Sequence, residues 1–381
     1  MRILIVSQYY ISRDPEGNVL IPGGTERYSY GLAKQLSIDG FEVMILSCGE
    51  KSEVGYDSID SIACYKFKQP RIYEFIDVFS FFATLKMIRD FNPDIVHVVS
   101  CGYHFALGAI TASKIMRKKT VFTVQLPPNM DRKDLLRVFD RRIVSKIIEK
   151  TDVVISPSME VEKILACEIN AEKIVVIPNF TTCNYYRKIP KEVDSIIFVG
   201  RLMCKQKGID LLINSLPYVK KSIPGAKLHI CGDGSDRKYL ENLVSKKDLK
   251  ENVVFHGHLD DNTLTKLYSK SHVFVMPSLY ESFGIVIVEA MSAGLPVIAY
   301  DLDCISEILD NGKYGILVRK GEVNELADQI IELLKNDNLR EYYSTMSMQR
   351  YNDYTQESVV ERIEKIYLDI KGGTHEVSEV L

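Results

Sequence analysis

Short apolar runs rich in Val and Ile alternate with longer amphipathic stretches from one end of this chain to the other, and that alternation restricts the fold more than any other feature. In the first half the runs are Ile3–Val6, Val43–Leu46, Ile95–Val99, Val121–Val124, Val153–Ile155 and Ile174–Ile177. In the second half they are Ile196–Val199, Leu228–Ile230, Val253–Phe255, Val273–Met276, Val297–Ala299 and Ile316–Val318. A continuous apolar run suits a strand buried on both faces, as in a parallel sheet covered by helices. About six runs per half are enough for one doubly wound sheet apiece. At 381 residues the chain also exceeds what one hydrophobic core usually serves. The expected fold class is α/β, with two doubly wound parallel-sheet domains. Residues 1–180 form the first and 195–356 the second, with a polar linker over 181–194 that contains Pro190. An amphipathic helix is expected over 357–370, a return to the first domain being one arrangement, and 371–381 reads as a polar tail.

A net charge of −3 does not favour a dedicated nucleic-acid binder. No apolar run reaches the roughly 18 residues of a membrane span, and the first run is too short for a signal peptide. The eight cysteines are scattered with no CxxC pair, which suits free thiols in a reducing cytoplasm better than a disulfide framework or a zinc site.

In doubly wound sheets ligands bind outside the carboxyl ends of the strands, so the residues following each run are the ones to inspect. After Val273–Met276 the chain reads Pro277-Ser278-Leu279-Tyr280-Glu281-Ser282-Phe283-Gly284-Ile285, then a helix through Glu289 that stops at Gly294. The first amides of that helix lack intrahelical acceptors and form an anion site at Gly284 and Ile285. Glu281 and Glu289 flank it and can accept hydrogen bonds from sugar and ribose hydroxyls. Taken alone, two acidic residues at a helix start also suit the helix dipole without any ligand.

After Ile196–Val199 come Gly200, Arg201 and, past a short turn, Lys207-Gly208. Two cations there can neutralise a diphosphate, and a departing nucleoside diphosphate develops charge as its glycosidic bond breaks. Gly23-Gly24, ahead of a helix through Tyr28–Leu36, allow close backbone approach. A Gly pair by itself, and the partial GxG at Gly232-Asp233-Gly234, are weak signals.

The ordered conjunction of Gly23-Gly24-x-Glu26, Arg201 with Lys207-Gly208, and Glu281-(x7)-Glu289 around Ser-Phe-Gly resembles the family-4 retaining glycosyltransferases of GT-B fold. Ile177-Pro178-Asn179 and Gly294-Leu295-Pro296 are similar as well, so the resemblance covers about residues 1–370. It implies two Rossmann-like domains facing a cleft and a nucleotide-diphosphate sugar as donor, with no cofactor and no metal. Arg201 and Lys207 then hold the diphosphate and Glu289 the ribose. Glu281 contacts the donor sugar, with the Phe283, Gly284 and Ile285 amides helping, and Gly24 closes the site from the first domain. The implied acceptor is a saccharide or a lipid-linked saccharide in glycan or polysaccharide biosynthesis, and the implied location cytoplasmic, with peripheral membrane contact as one option. The basic excess over 113–150, eleven Lys and Arg against four acidic residues, can serve that contact or form a solvated helix face.

Two departures stand out. Many members of the family carry a histidine where Gln125 follows Thr120–Val124, and glutamine cannot act as a general base. Retaining members are thought to use the leaving phosphate for the acceptor proton, so Gln125 remains a candidate catalytic-site residue. Asp301-Leu302-Asp303 stands where a Gly pair is frequent; its DxD pattern is disfavoured as a metal site because Arg201 and Lys207 already supply charge. His97 is expected to be a satisfied core residue, and the aromatic set Tyr73, Phe75, Phe79, Phe81 and Phe82 helix core. A nucleotide-sugar 2-epimerase of the same fold and a non-catalytic nucleotide-sugar binder are the alternatives.

Overall fold

The structure, a computed structural model of the chain, describes residues 1–8, 12–13, 19–20, 24–49, 54–68, 78–100, 102–125, 135–166, 171–182 and 194–373. Contacts divide the chain into two units, Met1–Thr182 with Thr355–Leu381, and Cys183–Tyr354.

The first unit begins with β1 (Arg2–Ser7), the short pair β2 (Ser12–Arg13) and β3 (Val19–Leu20), and α1 (Gly24–Ile38). It continues through β4 (Glu42–Gly49), β5 (Gly55–Ile59), β6 (Ile62–Lys68), α2 (Val78–Phe91), β7 (Ile95–Ser100) and α3 (Tyr103–Ile115). Then come β8 (Lys119–Val124), α4 (Leu135–Lys150), β9 (Val153–Ser156), α5 (Met159–Ala166) and β10 (Ile174–Val176). The sheet order is β10-β9-β8-β7-β1-β4-β6-β5, parallel except for the last pair. Its central strands are the continuous apolar runs; β1 and β7 are buried along nearly their whole length.

The β5–β6 hairpin is an addition that the apolar runs do not announce. As the sheet edge, β5 is largely exposed, and β6 alternates buried and exposed residues. Asp60 and Ser61 join them, both at positive φ (48° and 68°), as a two-residue hairpin requires. Lys66 is buried in β6 and pairs with Asp57 of β5 at 3.1 Å, so the edge also holds a charge inside.

The aromatic set is corrected where it is described. Phe79 and Phe82 are 52% and 62% exposed, while Phe81 is half-buried. The buried face of α2 is instead Ser80, Ala83, Thr84, Met87, Ile88 and Phe91, at helical spacing. Small residues on that face let the helix lie close to α3 and turn the two phenylalanines outward. Tyr73 and Phe75 lie outside the described residues.

The second unit runs β11 (Ser195–Val199), α6 (Cys204–Lys207), α7 (Ile209–Ser222), β12 (Lys227–Cys231), α8 (Arg237–Lys246), β13 (Val253–Gly257) and α9 (Asp261–Lys270). It ends β14 (Val273–Met276), α10 (Ile285–Ser292), β15 (Val297–Tyr300), α11 (Asp303–Ile308), β16 (Ile316–Val318), α12 (Val323–Lys335) and α13 (Asp337–Tyr351). All six strands are parallel, in the order β13-β12-β11-β14-β15-β16. Residues of α7, α8 and α12 pack on one face and of α9, α10 and α11 on the other. Each unit is a three-layer doubly wound sheet, the class expected from the runs.

The chain re-enters the first unit at Thr355, which bridges to Thr181 and caps α14 (Gln356–Gly372) by accepting from Ser358 N. The buried face of α14 is Val359, Val360, Ile363, Ile366, Tyr367 and Ile370, packed with α1 against the sheet. Tyr367 reaches His97 of β7 through a hydroxyl–Nδ1 contact of 2.5 Å, and His97 Nε2 meets Thr123 Oγ1 at 2.7 Å. His97 is thus a satisfied core residue. Burial pushes its imidazole down to about 3.

The folded pKa lies below the unfolded one, so the contribution is complete above the unfolded value, near 6.5, and is lost as pH falls below it, when only the unfolded chain takes the proton. Between pH 7 and pH 5 the loss should be about 2 kcal/mol. Denaturant titrations at both pH values check this by comparison with His97→Asn, in which that part of the acid destabilisation should vanish. An equal loss in both proteins would show that His97 does not carry it.

Candidate active site

The strand order of the second unit reverses between β11 and β14, which makes the gap beyond their carboxyl ends a topological switch point. The loop after β11 carries Arg201 and leads into α6; the loop after β14 carries Glu281. They interlock. Leu279 N donates to Gln206 O at 2.8 Å. Gly208 closes α6 in the left-handed region (φ +57°), and a Cβ there would lie 2.0 Å from Pro277 O. Only glycine meets both conditions. Lys207 Nζ consequently reaches Glu281 Oε1 at 2.5 Å, with the two side chains only 15% and 9% exposed. Ser278 Oγ donates to the same oxygen at 2.8 Å. Cys304, a buried thiol at the start of α11, lies 3.6 Å from the main-chain oxygen of Glu281.

Arg201 is exposed, and its side chain makes no ion pair with any described residue. Its loop is held from below by Gly232-Asp233-Gly234. A Cβ on Gly232 would meet Gly200 O at 2.1 Å and one on Gly234 would meet Leu202 O at 2.5 Å. Leu202 N donates to Asp233 O at 3.0 Å and Cys204 N to Asp236 Oδ2 at 2.7 Å. That last bond, first among its causes, holds the Asp236 carboxyl below its usual range. The GxG therefore lets two backbones pack.

Gly284, at φ +99°, is the N-cap of α10. Phe283 turns its ring into the core, 4% exposed and 6.0 Å from Tyr354, which leaves its backbone as the part available to a ligand. Ile285 opens the helix with amides that lack intrahelical acceptors. Glu289 lies one turn further in, 7% exposed, and its Oε2 accepts from the fully buried Tyr268 hydroxyl at 3.2 Å. The two glutamates are thus held by different partners, Glu281 by Lys207 and Ser278, Glu289 by Tyr268.

In the first unit Gly24 is the first residue of α1, with nothing within 4 Å of where a Cβ would stand. Gly23 lies outside the described residues. Gln125 follows β8, 9% exposed, in a reciprocal amide pair with Asn179: Gln125 Nε2 donates to Asn179 Oδ1 at 3.2 Å, and Asn179 Nδ2 to Gln125 Oε1 at 3.3 Å. The pairing fixes which face of the amide is available, and it assigns a partner to Asn179 that the Ile-Pro-Asn motif did not suggest.

Of the remaining motifs, Asp301 accepts from Ser306 and Asp303 begins α11, so the two serve local turn and helix geometry. His256 of β13 meets His229 of β12 ring nitrogen to ring nitrogen at 3.0 Å. Among the described residues no group of three or more His, Cys, Asp or Glu gathers as metal ligands would. The basic stretch over 113–150 is divided. Lys114, Arg117, Lys118, Lys119 and Lys150 sit at the amino-terminal edge of the parallel sheet, while Gln125 follows the other end of β8. Lys114 pairs with Asp152 there.

The sequence matches two family descriptions, Glycosyltransferase Family 4 over residues 22–184 and Glycosyl transferases group 1 over residues 187–350. An uncharacterized glycosyltransferase of Methanocaldococcus jannaschii is 28% identical across 96% of this chain and 98% of its own length. Phosphatidyl-myo-inositol mannosyltransferase of Mycobacterium leprae is 36% identical over 47% of this chain and 47% of its own length. Among solved structures, the Anabaena protein HepE in complex with UDP has a TM-score of 0.77 at 19% identity, covering 97% of this chain and 100% of that one. With a family match on each half and a shared two-domain architecture, this chain belongs to the family-4 glycosyltransferases and has the GT-B fold.

Proposed function

We propose that the chain transfers a hexosyl group from a nucleoside-diphosphate sugar to a saccharide or lipid-linked saccharide, with retention at the anomeric carbon, in glycan or polysaccharide biosynthesis. The observation that carries this reading is the largely buried Lys207–Glu281 pair at the switch point of the second unit, in the loop that leads to the amides of α10. Lys207 has three donor hydrogens, so one on Glu281 leaves two for a diphosphate. Arg201, exposed and unpaired among the described residues, supplies a second cation, and the α10 amides further donors. Glu289 takes the ribose and Glu281 the sugar. The departing diphosphate oxygen takes the acceptor proton, a step that asks nothing of Gln125 except orientation. A HepE structure with UDP and a relative named for phosphatidylinositol are in keeping with this donor and acceptor chemistry. No described helix is long and apolar enough to cross a membrane, and we place the protein in the cytoplasm, with contact at the membrane surface where a lipid-linked acceptor is used.

The test is nucleoside diphosphate release from a panel of nucleotide sugars, with and without acceptor, in excess EDTA, with the product anomer read by NMR. Acceptor-dependent release that persists in EDTA and yields a retained anomer is expected. Release without acceptor and with an altered sugar would indicate an epimerase, and binding without turnover a non-catalytic binder. Loss in EDTA restored by manganese would overturn the metal-independent part.

A further inference from the structure

Ser278 has no role in the reading above, yet its geometry is specific. It follows Pro277 at the end of β14, is fully buried, and gives its hydroxyl to Glu281 Oε1 at 2.8 Å. Lys207 Nζ occupies the same oxygen at 2.5 Å. Glu281 Oε1 is therefore engaged by a buried hydroxyl and an ammonium, whereas Oε2 has no partner among the described residues. The two oxygens of one carboxylate have been made unequal.

We infer that Ser278 is a positioning residue that holds Glu281 so that Oε1 stays with Lys207 and Oε2 is presented to the hydroxyls of the donor sugar. The inference rests on the glycosyl-transfer reading. The physical need is rotational. A glutamate side chain loses substantial rotamer freedom when held in one conformer, and the lysine that meets it is equally long and mobile. An ion pair between two such chains has no preferred oxygen. A hydroxyl on a short side chain, buried and rooted three residues away, does set one. Without it the carboxylate can turn both oxygens to Lys207, which withdraws the sugar contact.

Ser278→Ala removes one oxygen atom, and Ser278→Thr restores a hydroxyl. Three readouts separate positioning from simple packing: kcat and KM with the intact nucleotide sugar, calorimetric affinity for UDP and for GDP, and the melting temperature. Ser278→Ala is expected to lower kcat about tenfold, the size of a lost hydrogen bond to a charged acceptor. Its affinity for whichever bare diphosphate the wild type binds should stay within about twofold, and Ser278→Thr should recover most of kcat. Wild-type turnover in Ser278→Ala overturns the inference. So does an equal loss of bare-diphosphate affinity, or a fall in melting temperature with Ser278→Thr as inactive as Ser278→Ala. A wild-type protein that neither binds a nucleoside diphosphate nor turns over any nucleotide sugar overturns the transfer reading itself, and this inference with it, before any variant is made.

Discussion

Lys207→Ala should weaken nucleoside diphosphate binding by about a hundredfold and slow transfer by at least as much, more than a single lost contact of about 1.5–3 kcal/mol implies at its lower end. The excess comes from Glu281. That carboxylate is 9% exposed and has Lys207 as its only ion-pair partner among the described residues. Removing the ammonium leaves a largely buried negative charge beside the place where a second negative group must bind, and like charges there add to the lost attraction. The double variant Lys207→Ala/Glu281→Ala supplies the check. It should bind bare nucleoside diphosphate more tightly than Lys207→Ala alone, by up to about tenfold, while transfer stays low. Calorimetric titration of the three proteins reads this directly. Equal affinity in the wild type and Lys207→Ala would remove the diphosphate assignment, and no recovery in the double variant would show that the two side chains act independently.

The second large effect divides the glutamates. Glu289→Ala should weaken both the intact nucleotide sugar and the bare nucleoside diphosphate by about one to two decades, because the ribose is common to both. Glu281→Ala should spare the bare diphosphate and lower transfer, and by releasing Lys207 it can even strengthen the bare diphosphate. The structure adds a condition. Tyr268 is fully buried and gives its hydroxyl to Glu289, so Glu289→Ala also removes that hydrogen bond to a charged acceptor, at about 1.5–3 kcal/mol of stability. Glu289→Gln keeps an acceptor for Tyr268 and separates lost fold from lost ribose contact. If Glu281→Ala weakens bare nucleotide as much as Glu289→Ala does, the division of labour is wrong.

The twelve apolar runs all became strands of the two main sheets, and the reason is physical: a strand covered on both faces by helices takes a polar side chain only where it finds a buried partner, as His97 does with Tyr367 and Thr123. The same logic explains what stayed hidden. β5 faces solvent and β6 alternates, so neither produces a continuous run, and the aromatic residues of α2 mislead because its contact face is built from Ser80, Ala83 and Thr84. Within the candidate site, Glu281, Glu289, Arg201 and Lys207 are legible by residue type and by their place after strands. Ser278, Tyr268 and Asn179 carry no such signal, because a serine, a tyrosine or an asparagine becomes informative only when the group it faces is known.

The alternation of runs with amphipathic stretches was enough to establish two doubly wound layers and to mark strand ends as places for chemistry. Strand order was another matter. Main-chain hydrogen bonding is the same in every parallel strand, and one Val- and Ile-rich run is as good a neighbour as another, so nothing local states that β14 pairs with β11. Packing of the helices on both faces decides it. That decision carries Lys207 to Glu281 across 74 positions of chain, and Asp236 under the turn that bears Arg201. Residue types were fixed by composition along the chain; which of them share an oxygen was settled only when the sheet closed its order around the gap between β11 and β14.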